Sequence, residues 1–192
     1  DAIDVVHHLA EPRCDEVAAT LHELRAPRGW TADDARARMR DPLVFGAAMV
    51  RAGHVHGSVA GASRTTADVL RAALWMVGTA PGIRTVSSSF YMVVSSFRGT
   101  CAPQVLTFTD GSVVPDPDAA QLADIAVAAA RARRQVVGDE PRVAFLSYST
   151  RGSADGDSVR KVREALERFR TLLPDVAADG ELQFDAAVLP DI

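Results

Sequence analysis

Two short polar segments concentrate the residues that could do chemistry. The first is Gly61-Ala62-Ser63-Arg64-Thr65-Thr66, followed within the next helix by Arg71. Free N–H groups at a helix start, hydroxyl donors and the helix dipole together favour an anion. Helical side chains lean toward the N-terminus, which brings Arg71 within reach of the same anion. A plain Thr N-cap beside a solvated Arg explains the segment equally well, and spacing alone does not choose. The second segment is Ser147-Tyr148-Ser149-Thr150-Arg151-Gly152-Ser153. Its hydroxyls, cation and glycine suit phosphate or carbonyl recognition, but they also describe an exposed hydroxyl-rich loop. Arg25 closes an early helix, where the dipole alone favours a cation.

Other chemistries find little support. His54 and His56 would share a face of a strand, yet no third ligand stands nearby, so no metal is expected. Cys14 and Cys101, the 2 cysteines, make neither a disulfide framework nor a zinc site. The chain has no GxGxxG, no GxxxxGK[ST] and no GxSxG, which argues against a dinucleotide fingerprint, a P-loop and a nucleophile elbow.

The elements that must position these residues follow from periodicity. Helices are expected over residues 16–25, 31–40 (opened by a Thr31/Asp34 capping box), 42–52 (Asp41 N-cap, Pro42 at N1, stopped at Gly53) and 66–77. The last places Val69, Leu70, Ala73, Leu74 and Val77 on one face. Further helices follow Pro117-Asp118, with a stripe through Leu122, Ile125, Ala126, Ala129, Ala132 and Val136, and then Asp157 or Ser158, with Val159, Val162, Leu166, Phe169 and Leu173. Strands are expected at residues 55–61, within 83–94 as a long buried strand, and at 105–110, 142–147 and 182–188. Residues 95–103 read as a loose loop. Strands separated by single helices imply an α/β fold with a mainly parallel sheet, and ligands in such sheets gather at the carboxyl ends of strands.

The 192 residues carry a net charge of −4, with 21 Lys+Arg against 25 Asp+Glu. Lys161 is the single lysine, and the arginines are interleaved with acids rather than striped, so a nucleic-acid footprint is not expected. The longest apolar run, residues 43–50, is far short of a membrane span. No secretory signal is recognisable at the start, so the expectation is a cytoplasmic protein without a membrane partner.

Several stretches together resemble the phosphate acetyltransferase (phosphotransacetylase) family within the acetyl/butyryl phosphate transferase group. They are Glu23-Leu24-Arg25 with Gly29 and Thr31; Met39-Arg40-Asp41-Pro42 with Phe45-Gly46 and Met49-Val50; and Gly61-Ala62 with Thr65-Thr66-Ala67-Asp68 and Arg71. Pro115-Asp116-Pro117, Gln121-Leu122-Ala123-Asp124-Ile125-Ala126 and Glu140-Pro141-Arg142-Val143-Ala144 continue the likeness. Leu146-Ser147-Tyr148-Ser149-Thr150 and Asp179-Gly180-Glu181-Leu182-Gln183 with Asp185-Ala186-Ala187 complete it.

The resemblance implies reversible acetyl transfer between acetyl phosphate and coenzyme A. It further implies a three-layer α/β/α architecture of two subdomains with an interdomain cleft, usually in a homodimer, with coenzyme A or acetyl-CoA as substrate and no bound cofactor. Substrate-binding roles carry over to Arg25, Ser63, Thr65, Thr66 and Arg71, and to Tyr148, Ser149 and Thr150 facing the cleft from the second subdomain. Residues 1–84 would form part of the first subdomain and 85–192 most of the second. The chain departs from the family at Arg64, Ala72, Val55-His56-Gly57 and across residues 93–104. Family members also extend further at both ends, so the fold is expected to be incomplete there. The C-terminal Ser–Arg pair and the Asp taken as the thiol base have no counterpart among these residues, so catalytic residues stay unassigned. A non-catalytic acyl-CoA-sensing module, a structural piece that pairs with another chain, and butyryl transfer remain open alternatives.

Overall fold

The computed structural model describes residues 3–97 and 102–189. The chain divides into two units, Asp1–Ala80 and Pro81–Ile192.

Helix boundaries in the first unit are set by capping chemistry. Helix α1 (Cys14–Arg25) carries Asp15 and Glu16 in its first turn and runs into a short 3-10 turn, Ala26–Arg28. Helix α2 (Ala32–Arg38) opens with the expected capping box. The Thr31 hydroxyl accepts the Asp34 N–H at 3.1 Å, and Asp34 Oδ2 accepts the Thr31 N–H at 2.9 Å. Helix α3 (Pro42–Arg51) starts at Pro42 behind an Asp41 cap. It ends with Gly53 N–H on the Val50 carbonyl and His54 N–H on the Met49 carbonyl, a Schellman closure. Helix α4 (Thr66–Met76) is capped by Thr65. Val17, Leu21, Ala35, Met39, Val44, Phe45, Ala48, Ala72 and Met76 form the core of this unit.

Two expectations fail here. Residues 55–61 are exposed and form no strand. A strand needs a hydrogen-bonded neighbour, and among the described residues this unit contains no other strand. Helix α4 also turns a different face inward. Ala72 and Met76 are buried, while Leu74 and Val77 of the expected stripe are each 43% exposed. The helix is apolar on more than one side, so periodicity did not single out the face that packs. The other side stays open.

Among the described residues the second unit pairs its four strands in twos. Strand β1 (Ser89–Val94) lies antiparallel to β2 (Gln104–Thr109), with Ser89 opposite Thr109. The long strand expected over 83–94 is shorter because its first half bonds elsewhere. The Arg84 and Thr85 N–H groups go to Asp124 Oδ2 at 2.8 and 2.7 Å, and Ser88 N–H goes to Asp110 Oδ1 at 2.7 Å. Asp110 also accepts the Val113 and Val114 N–H groups, fixing the turn after β2.

Strand β3 (Arg142–Leu146) lies parallel to β4 (Ala177–Leu182), joined through helix α6 (Asp157–Leu172) as a β-α-β unit. The parallel arrangement expected for the sheet is therefore present in one of the two pairs. Residues 183–188 leave the expected strand: β4 stops at Leu182 and a short helix, α7 (Phe184–Val188), follows.

Helix α5 (Ala119–Val136) has its own capping box, Asp118 with Gln121. Its small residues Ala119, Ala123, Ala126 and Ala130 meet Val162, Ala165, Leu166 and Phe169 in one core cluster. Ile125, Ala126 and Ala129 of the expected stripe are buried, together with Ala123, Val127 and Ala130, while Val136, the last residue of the helix, is exposed. Phe145 of β3 and Phe169 of α6 meet edge to face, ring centres 5.6 Å apart. Gly156, rather than Asp157 or Ser158, is the N-cap of α6. Its φ is +148°, and a side chain there would strike the Tyr148 hydroxyl at 2.7 Å. At Gly180 a Cβ would come within 2.8 Å of Phe145, so glycine lets β4 approach β3 closely.

Phe169 is fully buried, so Phe169→Ala should destabilise the protein by about 3–5 kcal/mol. Urea unfolding followed by far-UV circular dichroism measures this, and a loss below about 1 kcal/mol would contradict the packing described.

Candidate functional site

The expected site residues fall into two groups, one in each unit. In the first unit Arg25 and Arg71 line the same surface hollow of about 470 Å³. Arg28, which the sequence reading missed, lines it as well. Ala67, Leu70, Leu74 and Trp75 supply the apolar part of the lining, so the side of α4 left open by core packing becomes a wall.

Arg25 is the last residue of α1 and is 8% exposed. One guanidinium nitrogen, Nη2, donates to the Leu74 carbonyl at 2.9 Å and ties the end of α1 to α4. Its Nε is buried with no hydrogen-bond partner. Burial first, and the neighbouring charge of Arg28 second, hold the Arg25 pKa below the usual arginine value. A buried cation beside a like charge and without a carboxylate is a receptor for an anion.

Arg71 differs. Its Nη1 donates to Asp68 Oδ1 at 2.9 Å, while Asp68 Oδ2 accepts the Thr65 hydroxyl at 2.8 Å. Those bonds, the Thr65 hydroxyl foremost and Arg71 with it, outweigh the opposing effect of burial and lower the Asp68 pKa. The Thr65 hydroxyl also receives the Asp68 N–H as the helix cap, so it is committed to its own helix. Ser63 and Thr66 are exposed, and neither they nor Thr65 line the hollow. Arg64 contacts Asp41 at 3.4 Å.

The aromatic side of the hollow is fixed by stacking. Trp75 meets Trp30 edge to face at 5.1 Å, and the Arg38 guanidinium sits 5.5 and 5.3 Å from the two ring centres. These are the 2 tryptophans of the chain. Two signals for the missed residues were present: Arg28 stands one helical turn after Arg25, and Trp75 one turn after Arg71.

In the second unit the structure brings Tyr148, Ser149 and Thr150 together in the loop after β3, but their side chains face different surroundings. Ser149 is fully buried. Its hydroxyl donates to Glu181 Oε1 at 2.9 Å and accepts the Ala154 N–H at 3.0 Å. It shapes the loop and is closed to a ligand. Tyr148 is exposed and donates to the Asp155 carbonyl at 3.0 Å. Thr150 Oγ1 accepts the Gln183 N–H at 2.9 Å. The organising group is Glu181, 3% exposed, a residue to which the sequence reading gave no separate role. Besides Ser149 it accepts Arg163 Nε at 2.7 Å, Arg163 Nη2 at 2.9 Å and the Gly152 N–H at 2.8 Å. These bonds, with the Arg163 pair foremost, hold its carboxyl far below the usual range against the opposing effect of burial.

No helix among the described residues is long and apolar enough to cross a membrane. Comparison with known proteins identifies the family: the chain belongs to the phosphate acetyl/butaryl transferase family, whose model matches residues 1–192. It is 43% identical over 189 residues to the phosphate acetyltransferase of Thermoanaerobacterium thermosaccharolyticum, covering 98% of this chain and 57% of that protein. With the phosphate acetyltransferase of Paracoccus denitrificans it shares 46% identity over 177 residues, covering 92% and 55%. The crystal structure of a phosphotransacetylase from Streptococcus pyogenes superposes with a TM-score of 0.85 at 36% identity, over 100% of this chain and 56% of that one. The chain thus spans a little over half the length of these relatives.

Because the folded-state pKa of Glu181 is depressed, its stabilisation is complete above the ordinary carboxylate value of 4.5 and fades as pH falls below it. Glu181→Gln should therefore cost roughly 2–3 kcal/mol at pH 7, and progressively less as the medium is acidified below pH 4. Urea midpoints measured from pH 7 to pH 3 report both; a pH-independent difference would contradict the network's ionic character.

Proposed function

We propose that this chain is a portion of a phosphate acetyltransferase, which transfers an acetyl group reversibly between acetyl phosphate and coenzyme A. The observation that carries the reading is the hollow lined by Arg25, Arg28 and Arg71, in which a buried guanidinium lacks a counter-ion. Both substrates are anionic, and the reaction needs cationic groups to clamp a phosphate. Membership of the family and similarity to phosphate acetyltransferases along nearly the whole chain support the same assignment.

In this reading Arg25 and Arg71 hold an anionic substrate group. Thr65 acts on Arg71 through Asp68, while Ser63 and Thr66 stand at the start of the same helix. Tyr148 and Thr150 face substrate from the second unit, on a loop that Ser149 and Glu181 hold in shape. The units correspond to the two subdomains of such an enzyme, in a cytoplasmic homodimer without a bound cofactor. The lining of the hollow contains no carboxylate, imidazole or thiol, so the base that deprotonates coenzyme A lies elsewhere in the protein. The second unit also exposes Phe90, Met92 and Val93, apolar surface that further polypeptide would cover.

Acetyl-CoA formation from acetyl phosphate and coenzyme A, followed at the thioester absorbance, tests the reading. The full-length protein should turn over, and Arg71→Ala in it should raise KM for acetyl phosphate or phosphate roughly tenfold while changing kcat little. Unchanged kinetics would remove Arg71 from the site. Acetyl-CoA binding without turnover by the full-length protein would favour a non-catalytic sensing module.

A further inference from the structure

Charge counting within the hollow leads to a residue that neither the sequence motifs nor the comparisons single out. Three guanidinium groups line it, and Asp68 is bonded to one of them, Arg71. Among the described residues neither Arg25 nor Arg28 has an ion-pair partner. The hollow therefore holds two positive charges in excess. Arg25 is pinned: it is buried, it spends Nη2 on the Leu74 carbonyl, and its Nε is unpartnered. Arg28 is its opposite, exposed at the end of the 3-10 turn, with a long side chain free to move toward a ligand.

A singly charged carboxylate would leave one of these charges uncompensated beside the other. A phosphate dianion would match both and offers three acceptor oxygens for the guanidinium forks. Phosphate monoesters lose their second proton near pH 6, so the doubly charged form prevails at mildly alkaline pH. Burial and then the Arg28 charge already act against the Arg25 guanidinium, and a ligand that bridges the two offsets their repulsion.

We propose that Arg28 is a third ligand-binding residue of this hollow, and that its unpaired charge makes the hollow select a phosphate dianion over a carboxylate. The inference rests on the reading that Arg25 and Arg71 hold a substrate anion. The phosphate can be a free one, as in inorganic or acetyl phosphate, or the terminal phosphomonoester of coenzyme A.

Tryptophan fluorescence supplies the readout, because Trp75 lines the hollow and Trp30 packs against it. The full-length protein is titrated at pH 8 and low salt with inorganic phosphate, acetate, coenzyme A and dephospho-coenzyme A. The parent should bind inorganic phosphate at least about tenfold more tightly than acetate. Arg28→Ala should reduce phosphate affinity roughly tenfold, leave acetate within about twofold, and keep the circular dichroism of the parent; Arg28→Lys should restore most of the preference. If the defect extends to coenzyme A but spares dephospho-coenzyme A, the terminal phosphomonoester is the group held. If it is confined to inorganic phosphate, the free phosphate is. Either result supports the proposal. Arg28→Ala with the parental phosphate-to-acetate ratio overturns the role of Arg28 and leaves the hollow as an anion site. A parent whose fluorescence responds to none of the four, with Arg71→Ala kinetically silent, overturns the hollow as a substrate site altogether.

Discussion

Placing a guanidinium inside a protein costs several kcal/mol unless an opposite charge meets it, and the first unit accepts that cost at Arg25. The end of α1, the 3-10 turn and α4 are arranged around this group. The Leu74 carbonyl takes one N–H, and Val17 and Leu21 of α1 share a core with Met76 of α4. Nothing in that arrangement neutralises the charge. Burial without neutralisation makes the group a weak contributor to stability and a strong receptor for anions, because a ligand restores the missing Coulomb term in a partly desolvated site.

The second unit handles a buried charge in the opposite way, and the contrast separates structure from function. Glu181 is as secluded as Arg25, but it is paired with Arg163 and further bonded to Ser149 and Gly152. A carboxylate so fully satisfied has no capacity left for a ligand. Its effect is mechanical: it holds the loop after β3 in one shape and so sets where Tyr148 and Thr150 stand. The same distinction applies within the first unit. Thr65, Asp68 and Arg71 form a chain of hydrogen bonds at the start of α4, and only its last member reaches the hollow. Of the two readings of that helix start, the cap is the one Thr65 fulfils.

What could be read from the sequence follows how local each feature is. The caps at Thr31 and Asp41 need only neighbours within a turn, and both stand where spacing placed them. The inward face of α6 was legible for the same reason, since its apolar residues lie on one side. Strands depend on partners that local sequence does not specify. Residues 55–61 have the composition of a strand and no neighbour to bond, and Arg84, Thr85 and Ser88 give their N–H groups to Asp124 and Asp110 instead. Helix α4 is apolar on more than one side, so its packed face was set by where α1 and α3 lie. Ser149 looked like one hydroxyl among several because Glu181, distant in sequence, decides that it points inward. Of the three arginines that line the hollow, Arg25 came from family resemblance and Arg71 from its place near the start of α4 together with that resemblance. Arg28 came from geometry alone.

The open side of α4 explains why this hollow combines charge with a rigid wall. A helix that buried its Leu70–Leu74 side would gain about 1.5–3 kcal/mol for each large side chain covered. Here that gain is forgone, and Leu70, Leu74 and Trp75 stand beside the arginines instead. Arg38 clamps both indoles from behind, so the aromatic wall keeps its position whether or not the hollow is filled. Low-dielectric walls strengthen the attraction between a bound anion and the guanidinium groups, and a preset wall spares the ligand the entropy of ordering it. Apolar exposure and unpaired charge are each unfavourable alone; in the proposed reading they act together as one binding surface, and the stability they withhold from the free chain is returned when an anion binds.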